Sequence, residues 1–309
     1  MAENENEKEI IPKTPETQSE TPPEVPKKKS KKRVRLCIVL CAVLVFVCAV
    51  LGTLQLGSWY TGRRWEQWSP DYEKTDITGI LKQETLSESD YETLYRQTGL
   101  TAIAIDDMRT SAHGMRQILA VQKFLFEQHE VTSRKFTIFT YMEEMDEYAP
   151  LAYLQDGDII VTSTTRVSWW AYGHAALVVD GADGVIVESL SPGTKSQLGT
   201  VKQSFAYLGD FIILRPKIDA KTKAQIAEYA KENLVGLPYQ MTTGIFTKKY
   251  SNKPLKTTQC AHLVWHAYKK FGYDLDSNGG AVVKPQDIAR SEYVEVVQAF
   301  GFDLDELWN

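Results

Sequence analysis

A chain of 309 residues, 43% hydrophobic and 24% charged, is long enough to hold a domain that buries its own core. Its net charge of −5 is unevenly spread. Residues 1–35 carry nine basic and seven acidic residues, which leaves 26 basic against 33 acidic in the remainder, a net −7. So acidic a remainder argues against nucleic acid as a partner and against passive adhesion to anionic polymers.

Residues 1–26 are rich in Glu, Pro, Thr and Asn and poor in aromatic and branched apolar residues, so they are expected to be disordered. Residues 27–35, KKKSKKRVR, place seven basic residues directly before an apolar run, so residues 1–35 form a tail with a basic flank. The run itself, residues 36–60, carries no charge and holds an apolar core of about 20 residues, enough for a helix to cross a bilayer. The basic flank predicts a cytoplasmic N-terminus and an extracellular C-terminal part, with Trp59 and Tyr60 in the outer aromatic belt. A cleaved secretory signal is the competing reading. It would need an unusually long basic region, and no small-x-small site follows the run. The uncleaved single-pass anchor is therefore preferred. Cys37, Cys41 and Cys48 lie within the run as membrane-filling residues, which leaves Cys260 as the one thiol outside it.

Residues 61–130 are expected to form a stalk and a helical lead-in, with SESDYETLYRQTG and MRQILAVQKFLFEQHE as two helical pieces. His113 and His129, in this region, read as surface or packing histidines. The domain proper is assigned to 131–309. There KFTIFTYM (135–142) alternates like a strand, and further strands are expected at 157–162, 174–179, 184–189 and 210–216. The DGADG turn joins 174–179 to 184–189 as a hairpin. If Val179 pairs with Val185, then Ala176 stands opposite Glu188. Glu188 then shares a sheet face with His174 and lies diagonally next to it. A helix is expected over 219–234, ended by Gly236-Leu237-Pro238, and the tail KPQDIARSEYVEVVQAF reads as helix followed by strand.

The stretch TQCAHLVWHAYKKFG, at 258–272, has helical spacing and is expected to start from Thr258 as N-cap and stop at Gly272. On a helical wheel Cys260 falls on the face of Val264, Ala267 and Phe271, while His262 and His266 fall on the far side. A thiol in a first helical turn feels the positive end of the helix dipole, which favours the thiolate. An exported domain with a single cysteine makes no internal disulfide, so the thiol is read as reactive. The plainer reading is a small buried hydrophobe. A base and its orienter are sought in His174 and Glu188, whose plain readings are a structural histidine and a hairpin-stabilising glutamate.

Taken together, GLPYQMTTG (236–244), TTQCAHLVWHAY (257–268), GDII (157–160), GHAALVVDG (173–181) and VIVES (185–189) resemble the NlpC-type papain-like cysteine hydrolases. With the cysteine helix after the histidine strand, the order is similar to the circularly permuted, YiiX-like branch. The resemblance covers roughly residues 150–300. It implies an α+β papain-like domain in which an antiparallel sheet packs on the cysteine helix, preceded by the single transmembrane helix. It also implies Cys260 as nucleophile, His174 as general base and Glu188 as third residue, with Tyr239 lining the site ahead of the cysteine. Gln259 stands where the family has an acid, and Ala261 where it has a serine. The implied reaction is acyl transfer, with the N–H of Cys260 and Tyr239 steadying the oxyanion and Gln259, Trp170 and Tyr172 at the substrate. Cell-wall peptide amides are the leading substrate class, and esters or thioesters are the alternative within the same chemistry; no cofactor is implied.

HLVWH has the i, i+4 histidines of zinc hydrolases, but leucine stands where the glutamate base belongs and no third ligand is evident. DLDSNGG (274–280) opens like a calcium loop, yet Pro285 occupies the twelfth position, so a turn and no metal are expected. A membrane-tethered binding module without catalysis is the other alternative, with Trp169, Trp170 and Tyr172 stacking on a ligand.

Overall fold

The computed structural model describes residues 31–62, 67–135, 140–167 and 170–304. The disordered tail expected over 1–26 and the role given to Trp169 therefore lie outside the described residues. The apolar run forms one helix, α1 (Lys31–Gly62). Through Gly57 it is long and apolar enough to cross a membrane, by length and composition. At 1.5 Å per residue that stretch exceeds the ~30 Å hydrocarbon core, and Leu40, Leu44 and Phe46 along it are exposed. A secretory signal meets the same test.

Four helices come next: α2 (Thr78–Leu81), α3 (Glu88–Thr98), α4 (Ala102–Arg109) and α5 (Ala112–Leu125). Ser87 and Asp90 close a reciprocal capping box at the start of α3, and Gly99 ends it at φ 70°. The Ser111 side chain caps α5. The two expected pieces are α3 and α5, while α2 and α4 were not expected; α4 starts anew at Ala102, after the Gly99 stop of α3. Ile77, Leu94, Met108 and Ile118 are fully buried in the same core as the sheet residues described next. Gln97 Oε1 accepts hydrogen bonds from the Thr75 N–H (2.9 Å) and from Gln122 Nε2 (2.8 Å), tying the incoming segment to α3 and α5. Of the stretch read as stalk and lead-in, the part from Ile77 onward is thus integral to the core.

The remaining elements are β1 (Val131–Lys135), β2 (Thr140–Met145), β3 (Ile159–Thr162), β4 (Thr165–Val167), β5 (Trp170–Ala171), β6 (His174–Asp180), β7 (Val185–Glu188), β8 (Gln197–Thr200), α6 (Val201–Ser204), β9 (Phe211–Pro216), α7 (Ala220–Asn233), α8 (Cys260–Lys270), α9 (Pro285–Ala289) and β10 (Val294–Phe300). Lys135 pairs with Tyr141, so the single strand expected over 135–142 is the two arms of an antiparallel hairpin; 136–139 lie outside the described residues. β1, β2, β4 and β5 form a four-stranded sheet, and a six-stranded sheet runs β10-β9-β3-β6-β7-β8, antiparallel at every pairing. The fold class is α+β.

β3 and β9 are buried throughout, and β6 is buried from His174 to Val179. Both faces of these strands are covered, so their sequences read as unbroken apolar runs. α7 and α8 pack against β6. Ala176 does stand opposite Glu188, as the hairpin count predicted. The turn end differs: Val185 pairs with Asp180 and Val179 is the extra residue of a bulge, which confines the one-residue slip to the turn and leaves the histidine end in register.

Candidate active site

Cys260 is the first residue of α8 and is 3% exposed. The N-cap is Gln259, in extended conformation, and not Thr258 as expected. The long amide side chain folds back so that Oε1 accepts from the Ala261 N–H at 2.9 Å and from the Cys260 thiol at 3.3 Å. Its Nε2 donates to the Val283 carbonyl at 2.7 Å, which anchors the cap to the segment before α9. Thr258 instead meets His262 Nδ1 at 3.0 Å. As the opening residue of a helix, Cys260 has a backbone N–H with no intrahelical acceptor.

His174 opens β6 directly after Gly173. That glycine sits at φ +72°, and a Cβ there would come within 2.5 Å of the Thr162 carbonyl oxygen, so only glycine lets β6 leave the β3 edge at this point. His174 Nε2 lies 3.0 Å from Glu188 Oε2, across the β6–β7 register described above. The other carboxylate oxygen, Oε1, accepts from Ser204 Oγ at 2.9 Å. Opposite it lies Gly199, where a Cβ would approach Oε1 to 2.9 Å. The Phe205 ring stacks on the imidazole, with centroids 5.4 Å apart and planes 15° apart. Both His174 and Glu188 are buried, at 2% and 1% exposure.

The Cys260 side chain is also near enough to the imidazole to influence its protonation. Burial works against a charge on the ring. The hydrogen bonds to Cys260 and Glu188 and their negative charges prevail, and His174 is pushed up to about 9. Two phenols share this environment. Burial, followed by the hydrogen bond to Thr140 that opposes it and the charge on Cys260 that adds to it, pushes Tyr172 up to about 12. Burial and the same sulfur hold Tyr239 well above the usual phenol range, so both hydroxyls stay protonated near neutral pH.

Cys260, Gln259, Tyr239, Tyr172 and Trp170 line one cavity of about 620 Å³. His174 and Glu188 are buried beside it, not among its lining residues. The seven residues singled out from the sequence therefore converge on one place. Sequence reasoning missed Ser204, Phe205 and Gly199 around the Glu188–His174 pair, and it missed the wall at Val282, Val283 and Pro285. None of these carries a motif. Their roles come from α6 turning back over β7 and from the chain before α9 crossing in front of Gln259.

The two helix histidines lie elsewhere, His266 packed between the Tyr229 and Tyr250 rings. His262 Nε2 lies 2.8 Å from the Lys249 carbonyl oxygen, and burial pushes both His262 and His266 down to about 4. Among the described residues no three His, Cys, Asp or Glu side chains group as a metal site. In the DLDSNGG turn, Asp274 accepts from Trp265 Nε1 at 2.7 Å, Asp276 pairs with Lys249, and Asn278 Oδ1 accepts from the Gly280 N–H at 2.6 Å, so these oxygens are met by protein donors. Compared with family models, with curated proteins and with solved structures, the chain matches none.

Proposed function

We propose that this chain is a cysteine hydrolase of the permuted papain-like, YiiX-like type, tethered to the cell membrane by α1 with its catalytic domain outside the cell. The observation that carries the reading is the buried imidazole of His174, held by Glu188 at 3.0 Å on one nitrogen and acted on by the Cys260 thiol. Glu188 takes Nε2, which leaves Nδ1 to serve the sulfur. An imidazole placed to take the thiol's proton supplies first a base for the nucleophile and then a general acid for the leaving group.

The reaction then proceeds by acyl transfer. The Cys260 sulfur attacks a carbonyl carbon, and the developing oxyanion is met by the free N–H of Cys260 and by the protonated hydroxyl of Tyr239. His174 gives its proton to the leaving group as the acyl enzyme forms. It next takes a proton from water, which attacks the thioester and releases the acid, and the thiol is restored. Glu188 keeps the ring oriented and stabilises its positive charge, as an orienting carboxylate does in other triads. The basic flank at residues 27–35 supports a cytoplasmic N-terminus.

The test is a thiol-directed activity probe and an acyl-substrate panel applied to wild-type, Cys260→Ala and His174→Gln proteins. Rapid labelling of Cys260 that depends on His174, together with turnover lost in Cys260→Ala, is the expected result. Wild-type turnover in Cys260→Ala, or equal labelling in His174→Gln, would show that the thiol is a bystander and the domain a binding module.

A further inference from the structure

The chain leaving β3 is gripped by a carboxylate that the reaction described above does not use. Asp210, directly before β9, is buried, at 3% exposure. Its Oδ1 accepts from Thr162 Oγ1 at 2.8 Å and from the Ser163 N–H at 2.7 Å, and its Oδ2 accepts from Ser163 Oγ. Thr162 Oγ1 in turn accepts from the Thr164 N–H at 3.1 Å. An ionised carboxylate is acceptor-only and meets all three of its donors at once. The backbone that carries Asp210 is itself fixed. At Gly301, where φ is +74°, a Cβ would come within 2.0 Å of the Gly209 carbonyl oxygen and 2.8 Å of Asp210 Cα.

The turn held in this way supports the strand of His174 at three points. Thr162 stands opposite His174 in the β3–β6 register. The Thr162 carbonyl oxygen is the atom against which Gly173 packs. The Thr165 carbonyl accepts from the N–H groups of both Tyr172 and Gly173 at 3.1 Å. Residues 172–174, the run that ends on the imidazole, therefore rest on the turn that Asp210 secures.

Resting on the hydrolase reading above, we infer that Asp210 is a positioning residue for the reaction, setting through residues 162–165 where His174 stands between Glu188 and Cys260. The imidazole has to meet Glu188 at 3.0 Å with one nitrogen and serve the sulfur with the other, so any shift at the start of β6 is felt on both sides. Displacing a reacting group by about 1 Å costs up to about 100-fold in rate. Asp210 touches no reacting atom, and it acts only through the turn.

The test is the rate at which iodoacetamide alkylates Cys260 near neutral pH in the full-length chain, held in lipid nanodiscs and shown to be folded by circular dichroism. Wild type and His174→Gln set the two reference rates. Asp210→Ala is expected to slow alkylation by about tenfold or more, towards the His174→Gln rate. Asp210→Asn is expected to keep most of the wild-type rate, because its oxygen still accepts from Thr162 and Ser163 while the Ser163 hydroxyl turns to accept from the amide. A merely structural role moves the rate the other way: a loosened fold uncovers the buried thiol and speeds its alkylation. A wild-type or faster rate in folded Asp210→Ala overturns the inference, and so does an Asp210→Asn rate as low as that of Asp210→Ala, which would assign the effect to charge. Should Asp210→Ala not fold, Ser163→Ala decides. Ser163 is exposed, and its loss removes one of the three bonds, so a slowing in the same direction but smaller is expected, and an unchanged rate overturns the inference. In all these outcomes the hydrolase reading stands. If His174→Gln alkylates as fast as wild type, that reading falls and this inference with it.

Discussion

At the scale of single residues, the site depends on how Glu188 is held. Its Oε1 is pinned by Ser204 Oγ and faces Gly199, where a Cβ would intrude to 2.9 Å. Gly199→Ala is expected to displace the carboxylate and lower kcat/KM on the order of tenfold or more, although no reacting group is removed. Ser204→Ala should act in the same direction and more weakly. Both effects are read in pH profiles, because a loosened Glu188 lets His174 give up its proton sooner. In the wild type the ring is charged up to about 9, so turnover that needs the imidazolium is expected to fall as pH rises through about 9, and earlier in Gly199→Ala. An alkaline limb at the same pH in both proteins would separate Glu188 from the histidine's titration. Cys260, His174 and Glu188 were legible in the sequence because reactive residue types are few and a hairpin register can be counted. Ser204 and Phe205 were not. A serine ending a four-residue helix and a phenylalanine just after it look like any others, and their contacts exist only after that helix folds over β7.

Among the elements, α8 has two different faces. Its first residue carries the thiol, while His262 and His266 lie buried and neutral among Trp265, Tyr229 and Tyr250. Their folded values near 4 lie below the usual 6.5, so the unfolded chain takes up protons first as pH falls. Stability from these rings is therefore present above about 6.5 and is lost as pH drops toward 4. The buried carboxyls of Asp158, Asp210 and Glu143, raised by burial, bias stability the other way over the acid range, so the comparison must be between variants. His266→Leu is expected to hold its Tm better than wild type between pH 6.5 and 4, as followed by circular dichroism. Parallel melting curves across that range would mean the ring is not kept neutral by burial. The wheel placed these histidines away from the thiol correctly, because a 100° step is geometry that every helix obeys. It did not place the cap. Thr258 and Gln259 both precede the helix, and the choice between them turned on Val283, a residue 24 positions further on that accepts from the Gln259 amide.

For the molecule as a whole, the apolar run that became α1 was the most legible feature, since crossing length is a property of the run alone. The least legible was the join between lead-in and domain. An amphipathic stripe such as Ile118, Val121 and Leu125 tells that a face is covered, but not by what. In the structure that face is covered by the same core that backs β3 and β9, and Leu94 is fully buried in it. The helices before residue 131 therefore contribute to the stability of the domain that carries the site. Leu94→Ala in the full chain is expected to cost about 2–5 kcal/mol, since a fully buried side chain is truncated. Glu92→Ala, two residues away and exposed, should stay within about 0.5 kcal/mol of wild type. Urea melts followed by tryptophan fluorescence, with acyl-substrate turnover as a second readout, distinguish the outcomes. A single cooperative transition shifted to lower urea in Leu94→Ala, with activity lost along the same curve, is the result for one shared core. If turnover survives beyond the point where the helices have melted, the lead-in is a separate unit and the site rests on residues 131–304 alone.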